Sequence, residues 1–377
     1  MLIKTIYELR KRIQGIDSII VYGAGYVGAL ILSYLQQENI KISNVIVTKK
    51  SDARICKDMQ GYSIETLEEV QTKRESPVFV AVSEKYNSQI VKHLYENGFY
   101  NIISISDSCV SQIELFSDKL LYFQTHIVDH CNLKCRGCYH FSSLAEEKFL
   151  SLDEFEKDVS RLSSLFDKRM KEIMLLGGEP LLHPEAKDFF AVARKYFPNG
   201  KLKMLTNGLL LLNIEPSFFS TMKKTDAELW VTKYPVNFDY RAAEKRALNY
   251  GIEIHYFNEE PVRTLGHQPL DLSGGKDYVQ NFRKCYRANQ CIDLKHGKLY
   301  PCIIPAEIEP FCKFFQVNIP VLEDDGVDIY SVSDVDDLLE RLNRPMPFCR
   351  FCNREAIEVF GAQPWERTKY EIEEWTV

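Results

Sequence analysis

Along the chain, short apolar runs alternate with stretches in which apolar residues recur every three or four positions. Ser18–Tyr22 (SIIVY) predicts a buried strand and the residues after it an apolar-periodic helix to about Gln37. Strands follow at Asn44–Thr48, Pro77–Val82 and Asn101–Ile105, with a helix from Tyr86 to about Asn97. The pattern resumes with the apolar run Leu120–Val128 (LLYFQTHIV), a further buried strand. Ser151, three residues before Glu154, reads as a capping box, and Leu152, Phe155, Val159, Leu162 and Phe166 share one face of the helix it opens. A strand at Glu172–Leu176, a helix at Ala186–Tyr196 and strands at Lys201–Leu205, Ala227–Val231 and Ile252–Tyr256 complete the series. Strands alternating with helices predict an α/β fold with parallel sheets and crossover helices. Further on the period changes. Cys291–Cys302 (CIDLKHGKLYPC) predicts a hairpin turning at His296-Gly297, where glycine supplies the positive φ. The acidic run Glu323-Asp324-Asp325 and the tail from Trp365 to Trp375 read as solvated surface and terminal packing.

Composition narrows the class. A length of 377 residues allows two or three domains, and the divisions predicted are 1–112, 118–275 and 276–377. Hydrophobic residues at 45% and charged residues at 27% are those of a soluble globular protein, and a net charge of −6 argues against a nucleic-acid partner held by a broad basic surface. No apolar run approaches the length of a membrane span, and Met1–Arg12 reads as a charged amphipathic helix rather than a secretory signal. Eleven cysteines without an export signal point to metal or cluster ligation rather than disulfides, and to a cytoplasmic protein.

Gly23-Ala24-Gly25-Tyr26-Val27-Gly28 sits between a strand and a helix, the context a dinucleotide fingerprint requires. Where a NAD site would place an acidic residue, after the second strand, stand Thr48, Lys49 and Lys50. This region resembles the Rossmann-like domains attached to polysaccharide and nucleotide-sugar enzymes. The resemblance implies nucleotide binding at Gly23, Gly25 and Gly28, or a docking role.

Cys131-Asn-Leu-Lys-Cys135-Arg-Gly-Cys138 places three thiols in eight residues after a strand. A structural zinc site closes with four ligands, whereas three close thiolates suit a [4Fe–4S] cluster with one iron left free. Gly177-Gly178-Glu179-Pro180 ends the strand that follows the next helix, and Thr206-Asn207 and Thr232 end later strands. The two motifs in this order resemble the radical SAM superfamily. That resemblance implies a partial (β/α)6 TIM-like barrel in which Cys131, Cys135 and Cys138 hold the cluster. It also implies S-adenosylmethionine at Gly177, Gly178, Glu179 and Pro180, with Thr206, Asn207 and Thr232 for its ribose and carboxylate. One departure is Gly137, where many members carry an aromatic residue before the third cysteine; here Tyr139, His140 and Phe141 follow it. His126, His130 and His183 lie near this region without a metal-type spacing and are expected to pack or hydrogen-bond, and His255 lies in a strand pattern.

Six cysteines fall after residue 276: Cys285, Cys291, Cys302, Cys312, Cys349 and Cys352. A cysteine, a glycine-turned hairpin ending in Pro-Cys and a later CxxC resemble the Twitch domain, a shortened relative of SPASM domains. This implies a small C-terminal domain with one auxiliary [4Fe–4S] cluster on Cys285, Cys302, Cys349 and Cys352. Cys291 is a rival for Cys285, set second because Cys285 has the better separation from Gly297 and Cys302 and because Cys291 falls in a predicted strand; a four-cysteine zinc site is the alternative. Cys312 is expected to be a buried or free thiol.

The radical SAM resemblance implies reductive cleavage of S-adenosylmethionine to a 5′-deoxyadenosyl radical that abstracts a substrate hydrogen. The electron would come from an external donor such as flavodoxin or ferredoxin. The Rossmann-like module directs the substrate expectation to a small polar molecule, such as a nucleotide sugar of surface-glycan synthesis. A peptide-modifying maturase and a non-enzymatic metal-binding module are the alternatives, and no residue is assigned as catalytic.

Overall fold

The structure, a computed structural model, describes all residues except 1, 5, 50–58, 60, 71–73, 119, 120, 267, 286, 361 and 377. It divides into two compact units: Met1–Lys119 with Arg283–Gln290, and Leu120–Phe282 with Cys291–Val377. The expected boundary near residue 112 falls inside a helix that runs from Asp107 to Asp118. The expected third domain, 276–377, does not stand apart.

The first unit contains β1 (Leu2–Ile3), α1 (Ile6–Ile13), β2 (Ser18–Tyr22), α2 (Tyr26–Gln37), β3 (Lys41–Val47), β4 (Ile64–Thr66), β5 (Val78–Val80), α3 (Glu84–Glu96), β6 (Ile102–Ile105) and α4 (Asp107–Asp118). Its six strands pair in the order β1-β6-β5-β2-β3-β4, every pair parallel. The strands are apolar on both faces because both faces are covered. Ile19, Val21, Val45, Phe79 and Ile103 pack with Leu9, Ile31, Leu35 and Ile113 from α1, α2 and α4, while Ile20, Tyr22, Ile46, Val78 and Val80 pack with Leu94 and Phe99 of the α3 side. The strand order reverses between β2 and β5, and the glycine turn after β2 lies at that point.

The second unit continues with β7 (Tyr122–Val128), α5 (Leu152–Leu165), β8 (Glu172–Gly177), α6 (Ala186–Tyr196), β9 (Lys201–Thr206), α7 (Pro216–Lys224), β10 (Ala227–Val231), α8 (Tyr240–Asn249) and β11 (Ile254–Tyr256). These five strands are parallel neighbours in chain order. Phe155, Val159, Leu162, Phe189, Phe190, Phe218 and Phe219 bury the helices' inner faces against Phe123, Ile173, Leu202, Met204 and Leu229 of the strands. The later strands are β12 (Thr264–Gly266), β13 (Asp293–Lys295), β14 (Lys298–Tyr300), β15 (Val327–Asp328) and β16 (Ala362–Pro364).

The predicted hairpin is present, with His296 at φ 48° and Gly297 at φ 72°, both positive as a two-residue turn of this hand requires. It adds to the central sheet instead of standing away from it: the order is β11-β10-β9-β8-β7-β13-β14-β15, with β13 parallel to β7. Helix α5 holds it there. Asp158 accepts from Gly297 N at 2.9 Å and Tyr330 Oη at 2.7 Å, and Arg161 donates to the carbonyls of Ile329 and Val332 at 2.9 Å each. The capping box is only half formed. Ser151 Oγ accepts from Glu154 N at 3.1 Å, but the Glu154 carboxylate reaches His296 Nδ1 at 2.6 Å.

Candidate active site

The loop Cys131–Cys138 leaves the C-terminal end of β7 beside the ends of β8, β9 and β10, where barrel-type and open α/β sites lie. Lys134 at φ 32° and Gly137 at φ 59° bend it back on itself between its cysteines. All three thiols are drawn inward, and burial is the leading cause that raises the pKa of each. Around Cys138 the backbone amides of residues 140–143 oppose that rise. Cys135 is held up at about 12 by burial and by Cys138, against the Trp365 indole N–H and Arg367. Three buried thiols repel one another as thiolates, and a bound metal cation relieves that repulsion. This donor set fits an iron–sulfur cluster.

The GGEP segment lies directly on the loop. Gly178 N donates to Val128 O at 2.8 Å and Glu179 N to His130 O at 3.1 Å. A Cβ on Gly178 would sit 2.0 Å from His130 O and 2.8 Å from Cys131 N, and one on Gly177 2.2 Å from Val128 O. These glycines therefore serve a close approach of the protein's own backbone, where the sequence reading had them opening room for a ligand. Glu179 is fully buried, with its carboxylate accepting from Leu181 N at 3.0 Å, Thr206 Oγ1 at 2.5 Å and Asn207 N at 2.9 Å. Burial pushes its pKa up to about 7 against those three bonds. The side chain thus ties the end of β8 to the end of β9, and Pro180 opens the turn that follows. Asn207 Nδ2 donates to Asn132 Oδ1 at 2.7 Å inside the cysteine loop, and Thr232 N donates to Thr206 O at 3.0 Å. Cys131, Gly177, Gly178, Glu179, Thr206, Asn207 and Thr232 are brought to one edge by these contacts.

Other residues at this edge were not singled out from the sequence. Tyr234 follows β10, and its pKa is raised well above the ordinary phenol value by burial and by the nearby charges of Cys135, Cys138 and Cys131. The tail is not merely surface. Cys135 bridges Arg367, Arg136 N donates to Glu366 O at 2.9 Å, and Thr368 N donates to Lys134 O at 3.0 Å. Trp365 Nε1 donates to Cys135 Sγ at 3.2 Å, and the buried Trp375 donates to Cys138 O at 2.9 Å. The available signal was compositional: two of the chain's three tryptophans lie at 365 and 375, an unusual concentration for solvated sequence.

Behind the loop lies a buried polar group. His126 Nε2 meets His140 Nδ1 at 2.8 Å, its Nδ1 is 3.2 Å from Glu307, and Lys295 Nζ reaches the same Glu307 oxygen at 2.6 Å. Asp293 accepts from Gln124 Nε2 at 3.1 Å. His126, Asp293 and Glu307 have cation-ligand chemistry and lie within 4.8 Å of one another. Lys295 brings a positive charge to Glu307, while Asp293 Oδ1 and Glu307 Oε1 are buried without a hydrogen-bond partner among the described residues. His183 bonds Leu150 O at 2.9 Å, His130 packs edge-on against Phe149, and His255 stacks on Trp230 at 5.0 Å.

Of the C-terminal cysteines, Cys302 precedes the helix Ile303–Glu307, Cys349 lies within the helical turn Pro347–Phe351 and Cys352 caps it, and the carbonyls of both accept from Asn281 Nδ2 at 2.8 Å. Cys291 lies two residues before β13 rather than in it, which removes one of the two reasons for setting it second. Cys285 belongs to the segment assigned to the first unit, and its sulfur accepts from Arg287 N at 3.4 Å. Cys312 is half-buried.

At the glycine turn of the first unit, a Cβ on Gly23 (φ +126°) would lie 2.4 Å from Ala81 O and one on Gly28 2.2 Å from Gly23 O. Gly25, at φ −88°, caps α2. Thr48 is hydrogen-bonded to the Tyr22 hydroxyl, Lys49 is exposed, and Lys50 lies outside the described residues. No described helix is long and apolar enough to cross a membrane.

Residues 125–240 match the family described as the Radical SAM superfamily. Among curated proteins, the chain is 27% identical over 221 residues to the antilisterial bacteriocin subtilosin biosynthesis protein AlbA of Bacillus subtilis (strain 168), covering 55% of this chain and 46% of that protein. It is 29% identical over 102 residues to GTP 3′,8-cyclase of Aliarcobacter butzleri (strain RM4018), covering 26% and 31%. The chain thus spans 31% to 46% of these relatives' lengths. Among solved structures, BtrN in complex with AdoMet and 2-DOIA aligns over 62% of this chain and 93% of that one, at 15% identity and a TM-score of 0.39. The parallel α/β strands, the three-thiol loop and the family match fall on the same stretch: residues 125–240 carry the part of the chain that matches the radical SAM superfamily, whose members are enzymes of radical-based transformations.

Proposed function

We propose that this chain is a radical SAM enzyme in which Cys131, Cys135 and Cys138 hold a [4Fe–4S] cluster and the ends of β8, β9 and β10 seat S-adenosylmethionine. When bound, these groups supply a 5′-deoxyadenosyl radical that removes a substrate hydrogen. The observation that carries the reading is the seating of Gly178 on the backbone of His130 and Cys131, which joins the two motifs into one surface. Backbone carbonyls of the GGEP segment take the cofactor's ammonium, because the Glu179 carboxylate is already committed to Thr206, Asn207 and Leu181. Glu179 is a positioning residue in this scheme. Asn207 and Thr232 face the cofactor's carboxylate and ribose. The five-stranded parallel array β7–β11 is the partial barrel that holds them.

Cys302, Cys349 and Cys352 hold an auxiliary [4Fe–4S] cluster of the Twitch kind, and Cys291 is the fourth candidate within the same unit. An external donor such as flavodoxin or ferredoxin provides the electron. The substrate is a small polar molecule such as a nucleotide sugar, and the Gly23–Gly28 turn is where a nucleotide would meet the first unit. A second reading, peptide modification, is favoured by the likeness to a bacteriocin biosynthesis protein over more than half of the chain.

The test is anaerobic reconstitution followed by iron and sulfide analysis and an assay for 5′-deoxyadenosine. Wild type forms the nucleoside under reduction and Cys135→Ala does not; equal formation by both removes the proposal. Incubation with a nucleotide-sugar panel and with peptide libraries, followed by mass spectrometry, separates the two substrate readings.

A further inference from the structure

The C-terminal tail contributes a side chain to the environment of the cysteine loop that no motif records. β16 pairs antiparallel with β12, and Trp365 N donates to Arg263 O at 2.9 Å, so the tail enters from a clamped strand. It then runs alongside the loop through the Arg136–Glu366, Cys135–Arg367 and Lys134–Thr368 backbone contacts. It ends in Trp375, buried against Phe311 and Phe315, with its indole on the Cys138 carbonyl. Between these anchors the Trp365 indole N–H points at Cys135 Sγ from 3.2 Å, and the ring packs near Tyr234 at 6.0 Å.

We propose that residues 365–375 form a strap that tunes the reduction potential of the cluster on Cys131, Cys135 and Cys138, with Trp365 donating its N–H to the Cys135 thiolate. This rests on the cluster reading above. Reduction adds negative charge to a cluster and its thiolates, and a fixed donor on one sulfur stabilises that added charge, raising the potential. Trp365 is thus a positioning residue that acts through a ligand. Removing the N–H while keeping an aromatic side chain at 365 lowers the potential and leaves the cluster in place.

The experiment is an anaerobic redox titration of the reconstituted full-length chain, followed by the EPR signal of the reduced cluster, in wild type and Trp365→Phe. The expected result is equal iron and sulfide content with a more negative midpoint in the variant, so that at a fixed poise a several-fold smaller fraction is reduced. In parallel, wild type carrying 15N-indole tryptophan is examined by pulsed EPR, where a nitrogen coupling to the reduced cluster that is lost in Trp365→Phe supports the strap. An unchanged midpoint at equal iron content, or no indole coupling in wild type, overturns the proposal. Should Trp365→Phe fail to hold a cluster, the coupling in wild type alone decides. A wild-type chain that assembles no iron–sulfur cluster overturns the cluster reading itself, a distinct outcome.

Discussion

At the scale of single residues, the site depends on positions where no atom can be added and on charges that cannot be left alone. Gly178 is the first kind. The Cβ of an alanine there would strike His130 O at 2.0 Å, and both atoms belong to backbone that cannot swing away. Gly178→Ala is expected to cost about 1–3 kcal/mol, the range for overpacking, and to weaken AdoMet binding by displacing the cysteine loop. Urea denaturation checks the first effect and isothermal titration the second. Glu307 is the second kind. Burial opposes its ionisation, but His126 and Lys295 more than offset this and hold its pKa down at about 2. Glu307→Gln takes from His126 and Lys295 the buried carboxylate they share, leaving Lys295 only the longer contact to Asp129, and at pH 7 a loss of about 3–5 kcal/mol is expected. A depressed carboxylate contributes stability above its ordinary value near 4.5 and loses it as pH falls toward 2. The gap between wild type and variant should therefore narrow as pH rises above 6.5, where His126, its pKa raised by Glu307, gives up its proton, hold steady near pH 5–6, and shrink below 4.5. Denaturation midpoints measured across that series decide it, and a gap that grows on acidification below pH 4.5 would contradict the assignment.

At the scale of elements, helix α5 does more than cover a sheet. Its first turn is capped by Ser151, and it bolts on the β13–β14 hairpin through Glu154 and the buried Asp158 and the segment after β15 through Arg161. Ser151→Ala removes the Oγ that accepts from Glu154 N and should cost about 0.5–2 kcal/mol, read as a lower Tm with an unchanged cluster content. The periodicity of α5 was plain in the sequence because its buried residues sit on one stripe. The destination of Glu154 was not, because its partner, His296, lies 142 residues away. The same contrast separates the cysteine loop from the tail. A close-spaced set of thiols is visible by inspection, whereas Trp365 acquires meaning only once β16 has paired with β12 and aimed it at Cys135.

At the scale of the molecule, the first unit is completed by residues far along the chain. Arg283 Nε lies 3.4 Å from the Glu8 carboxylate, and Gln290 Nε2 donates to Ser111 Oγ at 3.3 Å, so the segment Arg283–Gln290 belongs to a body otherwise built from the N-terminal 119 residues. A fragment of residues 1–119 should therefore melt at a lower temperature than the same fragment with residues 283–290 joined through a flexible linker. Differential scanning calorimetry of the two checks this, and identical melting would show that the segment contributes nothing. No reading of 283–290 alone suggested such a role, since a short polar stretch carries no sign of its destination.

Period and spacing by themselves determined the alternation of strands and helices, the glycine turn between β2 and α2, the hairpin at His296-Gly297, and the close spacing of three thiols after a strand. Each is local, written within a few residues by sterics or by side-chain period. Tertiary structure alone decided that the hairpin joins the central sheet, that Glu179 binds Thr206 and Asn207, that Lys295 pairs with the buried Glu307, and that the tail lies along the cysteine loop. Those facts are pairings between residues tens to hundreds of positions apart. They follow from which surfaces meet when the core closes, and a one-dimensional pattern carries no record of that.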